Sequence, residues 1–297
     1  MPDEVRLLDE VPDALAGSLI ESLRFHVVTE DDAWLRSAHR LLGTEFEPDV
    51  LDDLSRYVGW LARNRAGTNT FPFLLLVASA TLGGVEHVVG VFEGNLMRVR
   101  PRPGAAPAQG EPACIFAIGH QVTAAPIRAS GVRGVGTLLF DAAVAEIHAL
   151  AGRMGWALTH LFCEAEDDSL GFWSRMGFRW PEGCAYWQPP LLFDEQGTRR
   201  YDEVSEQLAL KPMRGERAVS REFLLDLVAT VYEHWALDKY RPLLSPAALR
   251  RAEGYVMGVV FQRVVDRAPT SPQIPLVPMV GPRRGVDERP PRRRGGR

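Results

Sequence analysis

The chain has 297 residues, 46% of them hydrophobic and 9% aromatic, enough to bury a substantial core and longer than the commonest single domain. Its three cysteines, Cys114, Cys163 and Cys184, lack the close paired spacing of a zinc site or redox dithiol, and an odd number does not suit a disulfide framework. A formal net charge of −4 hides a split: residues 271–297 carry seven arginines against Asp287 and Glu288, leaving −9 on the rest, and an acidic body disfavours nucleic acid as a partner.

These features predict a cytoplasmic protein with reduced thiols and no bound metal. The first eight residues are acidic and broken by Pro2, unlike a secretory signal. Apolar stretches such as 71–80 and 135–144 fall short of the roughly 20 residues that cross a bilayer, so no membrane partner is expected.

After an N-terminal segment, 1–23, the run 24–29 reads as a short strand. Asp31 and Asp32 supply a helix start for 33–42. A second helix is predicted over 49–65, where Leu51, Leu54, Val58 and Leu61 recur at spacings of three and four. Residues 71–80 and 87–94, separated by Gly83 and Gly84, read as an antiparallel strand pair. Four prolines mark 100–112 as a loop.

Strand character returns at 114–124, and the glycine-bearing segment 131–136 leads into a long helix. Val135, Leu138, Leu139, Ala142, Ala143, Ile147, Leu150 and Met154 keep helical spacing until Gly155 stops it. A strand at 158–163, a short helix at 168–176 and a last strand at 186–192 complete the order: strand, two helices, three strands, helix, strand, helix, strand.

This order and two motifs resemble the GNAT superfamily of acyl-CoA-dependent N-acyltransferases. In that family a strand ends in a loop of pattern [Q/R]-x-x-G-x-[G/A], whose amides grip the pyrophosphate of CoA. Here Gly131-Val132-Arg133-Gly134-Val135-Gly136-Thr137 matches both later glycines and lacks the leading Gln or Arg. The family's F-Y-x-x-x-G-F corresponds to Phe172-Trp173-Ser174-Arg175-Met176-Gly177-Phe178. A dinucleotide fingerprint has its glycines in the opposite spacing and an acidic residue about 20 positions on, so it fits less well.

The resemblance covers about 24–192 and implies an α/β (α+β) fold with a mixed, mostly antiparallel sheet flanked by helices. It also implies acetyl-CoA or another acyl-CoA as co-substrate and an amine of a small molecule or peptide as acceptor. Gly134, Val135, Gly136 and Thr137 would meet the phosphates, and Arg133 could pair with one. Val122 and Thr123 are the implied backbone partners of the pantetheine. The motif's Tyr, the usual acid toward the departing thiolate, is replaced by Trp173, whose indole N–H is a poor proton donor; packing near the pantetheine arm is its expected role. A catalytically inactive CoA-binding or interaction module is the alternative reading.

Two residues are candidates for the general base by strand position alone. His120 precedes the loop, histidine being a side chain that can be tuned to act near neutral pH, and Glu164 ends the next strand. Glu93, on the strand paired with 114–124, is a further candidate. A lone strand histidine is often structural, and Glu164 with Glu166, Asp167 and Asp168 could be a polar loop with a helix cap.

Beyond the core, a polar stretch ends at Lys211 and Pro212. Two amphipathic helices are predicted within 219–268, the first capped by Ser220 and the second starting near Pro246. The extension 193–268 could pack on the core, cover the acceptor pocket or make a homodimer, with packing the default. Residues 269–297, rich in Pro and Arg, read as an extended, disordered tail.

Overall fold

A computed structural model describes residues 5–8, 19–46, 51–82, 84–102 and 112–279. The chain is mixed α/β with mostly antiparallel strand pairing. It divides into two compact units, one made of 1–98 with 113–159 and the other of 99–112 with 160–297. The 193–268 extension shares a unit with 160–192.

In the first unit, β3 (Phe73–Leu82) is flanked antiparallel by β2 (Arg24–Val27) and β4 (Val85–Arg98). β4 pairs antiparallel with β5 (Cys114–Thr123), and β1 (Val5–Leu7) lies parallel to β4. Between β2 and β3 stand α2 (Ala33–Glu45) and α3 (Leu54–Arg65), with the single turn α1 (Leu19–Ser22) before β2. The Asp32 carboxylate caps α2 by accepting from the Leu35 N–H at 3.0 Å, as expected of an N-cap aspartate. The start expected for the second helix at 49 is corrected to Leu54; residues 47–50 lie outside the described residues.

After β5 come the short α4 (Ala125–Ala129), absent from the sequence reading, and the 19-residue α5 (Val135–Arg153). Leu139, Phe140, Ala143, Ile147 and Ala151 form the buried face of α5, which packs on β3, β4 and β5. Each large side chain so buried contributes about 1.5–3 kcal/mol. Among the described residues α5 is the one helix long and apolar enough to cross a bilayer. That apolar character is used in the core of the unit.

The second unit takes up β6 (Leu158–Ala165) from His160 onward, then α6 (Leu170–Arg175), β7 (Arg179–Pro181), β8 (Tyr186–Gln188) and β9 (Val204–Pro212). β9 pairs antiparallel with β6, β7 and β8. β10 (Ala218–Ser220) leads into α7 (Arg221–Tyr232), followed by α8 (Pro246–Tyr255), α9 (Gln262–Arg267) and β11 (Gln273–Pro278). Wide π turns extend α7 over Glu233–Leu237 and join α8 to α9 over Val256–Phe261.

Three expectations are corrected here. The last strand is not 186–192, because β8 ends at Gln188 and three strands follow it. The polar stretch ending at Pro212 is β9. Part of the expected disordered tail is β11, paired antiparallel with β7 and β10; residues 280–297 lie outside the described residues. The 100–102 stretch of the expected loop is tied to α7, where Arg102 forms ion pairs with Glu222 and, at 2.8 Å, with Asp226, and the Arg100 N–H donates to Thr230 Oγ1 at 3.0 Å.

Candidate active site

The loop between β5 and α5 turns on two glycines in the left-handed region, Gly131 at φ 75° and Gly134 at φ 96°. Gly134 is the N-cap of α5 and brings no side-chain cap, and a Cβ built on it meets nothing within 4 Å. The first helical bond is the Leu138 N–H to the Gly134 carbonyl at 2.9 Å. The amides of Val135, Gly136 and Thr137 precede it and have no acceptor within the helix. Three such N–H groups at the positive end of a 19-residue helix are chemically suited to an anion.

Around this loop, Arg133 is exposed and able to meet an oxyanion. Arg128, on α4, is committed elsewhere: its guanidinium donates to the Thr123 carbonyl and pairs with Glu45 at 2.7 Å. Val122 is buried and pairs with Val91, and Thr123 pairs with Gly90. The Gln121 side chain donates from Nε2 to the Gly136 carbonyl at 2.8 Å, fastening the first turn of α5 to β5.

His120 lies on the same strand. Its Nδ1 meets Glu93 Oε1 at 2.5 Å, with Glu93 only 5% exposed. Phe46, at the end of α2, covers the imidazole with ring centroids 4.4 Å apart. Glu93 and His120, both candidates in the sequence, are thus hydrogen-bonded partners. Tyr57, on α3, lies within electrostatic range of Glu93, and burial first, then the charges of Glu93 and Asp52, push its phenol well above its ordinary range.

Glu164 sits in the second unit. The Tyr186 hydroxyl donates to its Oε1 and the Gln188 amide to its Oε2. Burial dominates these donors and, with the nearby charge of Glu206, pushes the carboxyl up to about 8. The side chains of Tyr186 and Gln188 reach the same carboxyl because they are two apart on β8, and alternate residues share a strand face.

Trp173, in the same unit, is buried on α6 and stands edge-on to Phe172 and to Phe178, each at 5.0 Å. The motif around it reads physically as a helix stop. The Gly177 N–H bonds to the Ser174 carbonyl and the Phe178 N–H to the Trp173 carbonyl, both at 3.0 Å, with Gly177 at φ 86°. That is a Schellman cap with its apolar contact. Packing accounts for Trp173.

The first unit thus holds together His120, Val122, Thr123 and Arg133 to Thr137, while Glu164 and Trp173 belong to the second. Sequence reasoning missed the contacts of Gln121, Tyr186 and Gln188. The period-two placement of Tyr186 and Gln188 was a usable signal; the other contact depends on strand register. Among the described residues no cluster of three or more His, Cys, Asp or Glu could hold a metal.

No family model matches the sequence, and no curated protein matches it. Solved structures with a similar fold include a protein of Bacteroides thetaiotaomicron assigned to the GNAT family, at 14% identity over 72% of this chain and 98% of its own, TM-score 0.43. AtaTR bound with acetyl-CoA is similar at 14% identity over 65% and 95%, TM-score 0.39. AtaT complexed with acetyl-methionyl-tRNAfMet is similar at 14% identity over 65% and 95%, TM-score 0.36. These are likenesses of fold, and loose ones; the functional reading rests on this chain's own residues.

Proposed function

We propose that this chain is an acyl-CoA-dependent N-acyltransferase, with acetyl-CoA as the default donor and an amine of a small molecule or peptide as acceptor. The observation that carries the reading is the open glycine turn at the head of α5, in the same unit as a histidine backed by a carboxylate. Phosphates of the donor meet the amides of Val135, Gly136 and Thr137, and Arg133 adds charge.

In the reaction the acceptor nitrogen attacks the thioester carbonyl, a C–N bond forms and the C–S bond breaks. His120 takes the nitrogen's proton at Nε2, since Nδ1 is engaged with Glu93. Trp173 cannot supply a proton to sulfur. A thiol of pKa about 8.5 departs as thiolate at little cost near neutral pH, and solvent then protonates it.

Two measurements test this. Gly134→Val forces a β-branched residue into the left-handed region and puts a side chain over the open face of the turn. It should weaken CoA binding by at least tenfold, about 1.4 kcal/mol; unchanged calorimetric affinity in a folded variant would end the phosphate-loop assignment. Release of free CoA thiol with a panel of small amines, peptides and an aminoacyl-tRNA then separates an enzyme from a binding module. Tight CoA binding without turnover on any acceptor would favour the inactive-module reading suggested by Trp173.

A further inference from the structure

We propose that Glu93 is the positioning residue of His120 and that the bulge at Gly119 is built to hold it there. This deepens the acyltransferase reading and rests on it. The β4–β5 register runs Glu93 opposite His120 and then Gly94 opposite Ile118, which leaves Gly119 as an extra residue. A bulge re-aims the side chains on either side of it. This one sets Glu93 and His120 directly across from each other, where opposed side chains lie on one face.

The carboxylate occupies the space that a side chain at position 119 would need. A Cβ built on Gly119 falls 2.4 Å from Glu93 Oε1 and 3.1 Å from its Cδ. Glycine is thus required for close approach at this position. A carboxylate only accepts hydrogen bonds, so the bond between His120 Nδ1 and Glu93 places the ring hydrogen on Nδ1 and leaves Nε2 as the lone-pair nitrogen. Phe46 covers the ring. Tautomer and orientation are thereby both fixed before any acceptor arrives.

The pair also handles charge. When Nε2 accepts the acceptor's proton, the imidazolium forms in a side chain only 16% exposed, next to an opposite charge that favours it. No proton need leave Nδ1 for the step to balance. Glu93 touches the imidazole rather than the reacting atoms, so it acts through His120.

Two variants test the proposal on the full-length protein. Glu93→Gln keeps the shape and removes the charge. Gly119→Ala leaves both partners in the sequence and drives a methyl against the carboxylate, the movable end of a flexible side chain. Nitrogen-15 imidazole spectra of the wild type should show His120 with its hydrogen on Nδ1, and both variants should lose that preference. With an accepted amine, kcat should fall about 10- to 100-fold, with the KM for acyl-CoA within about twofold. An unchanged tautomer in Glu93→Gln would overturn the proposal, also if Gly119→Ala fails to fold. The spectra need no turnover, so absence of activity toward every amine would remove the acyltransferase reading while leaving the positioning result to stand or fall by itself.

Discussion

His120 in the first unit and Glu164 in the second are both base candidates in the sequence, and their surroundings separate them. His120 faces a carboxylate that fixes one ring nitrogen and keeps the other as an acceptor. Glu164 is enclosed by donors, Tyr186 and Gln188, in a setting where burial holds its proton up to about 8. A base needs an available lone pair at working pH. The geometry leaves His120 Nε2 for that role, whereas burial favours the protonated form of the Glu164 carboxyl. A candidate's chemistry is decided by what lies across the sheet from it, not by its residue type.

The sharpest way to break this comparison is a pair of substitutions assayed with the acceptor found by thiol release. His120→Ala should lower kcat by about 10²–10⁴, the usual worth of general-base help, with CoA affinity by calorimetry within about twofold. Glu164→Gln should keep kcat at pH 7 within about threefold, because the amide resembles the protonated acid already present. The reverse pattern would make Glu164 the base and His120 a structural residue.

What the sequence disclosed and withheld follows from the same distinction. The α5 helix and its glycine loop were readable because the period, Gly155 as stop and the loop glycines all agree over one continuous segment. The stop at Gly177 was equally local. By contrast, β9 buries three consecutive residues, Leu208, Ala209 and Leu210, which hides a period of two, and Pro212 reads as a breaker although it is the strand's last residue.

In β11 the alternation is present, with Ile274 and Leu276 buried, but Pro275 and Pro278 argue against a strand. Pro275 is accommodated because it gives the sheet only its carbonyl, which accepts the Glu182 N–H at 2.9 Å. The His120–Glu93 pair lay out of reach for another reason. Residues 27 apart meet only through a register shifted by one bulge residue, and a one-residue slip would turn the side chains of one strand to the opposite face.

A smaller effect sharpens the same contrast through stability. The folded state holds the Glu164 carboxyl above its ordinary value of 4.5, up to about 8, so between those values the folded chain binds more proton than the unfolded one. This contribution is fully present below about 4.5 and is lost as pH rises toward about 8. Glu164→Gln has no such titration. Denaturant midpoints should therefore show the variant gaining on the wild type from about pH 5 to 8; parallel curves would mean that Glu164 ionises freely in the fold.

The smallest expected effect has the opposite sign and comes from the start of the same strand. His160 is 8% exposed, has no hydrogen-bond partner for either ring nitrogen among the described residues and lies against Phe223 at 4.7 Å. Burial lowers its pKa below 6.5, with the charge of Glu216 opposing. A folded-state pKa below the unfolded value means that the neutral ring is what the fold accepts: the stability is present above pH 6.5 and declines as pH falls below it. His160→Leu removes the titration and the two unpartnered nitrogens, at the cost of the ring contact with Phe223. Relative to the variant, the wild type should lose stability from about pH 6.5 downward, where the Glu164 contribution is still growing. A flat difference between wild type and His160→Leu over that range would mean that the imidazole finds a partner when protonated, and that this end of β6 accommodates a charge that the other end resists.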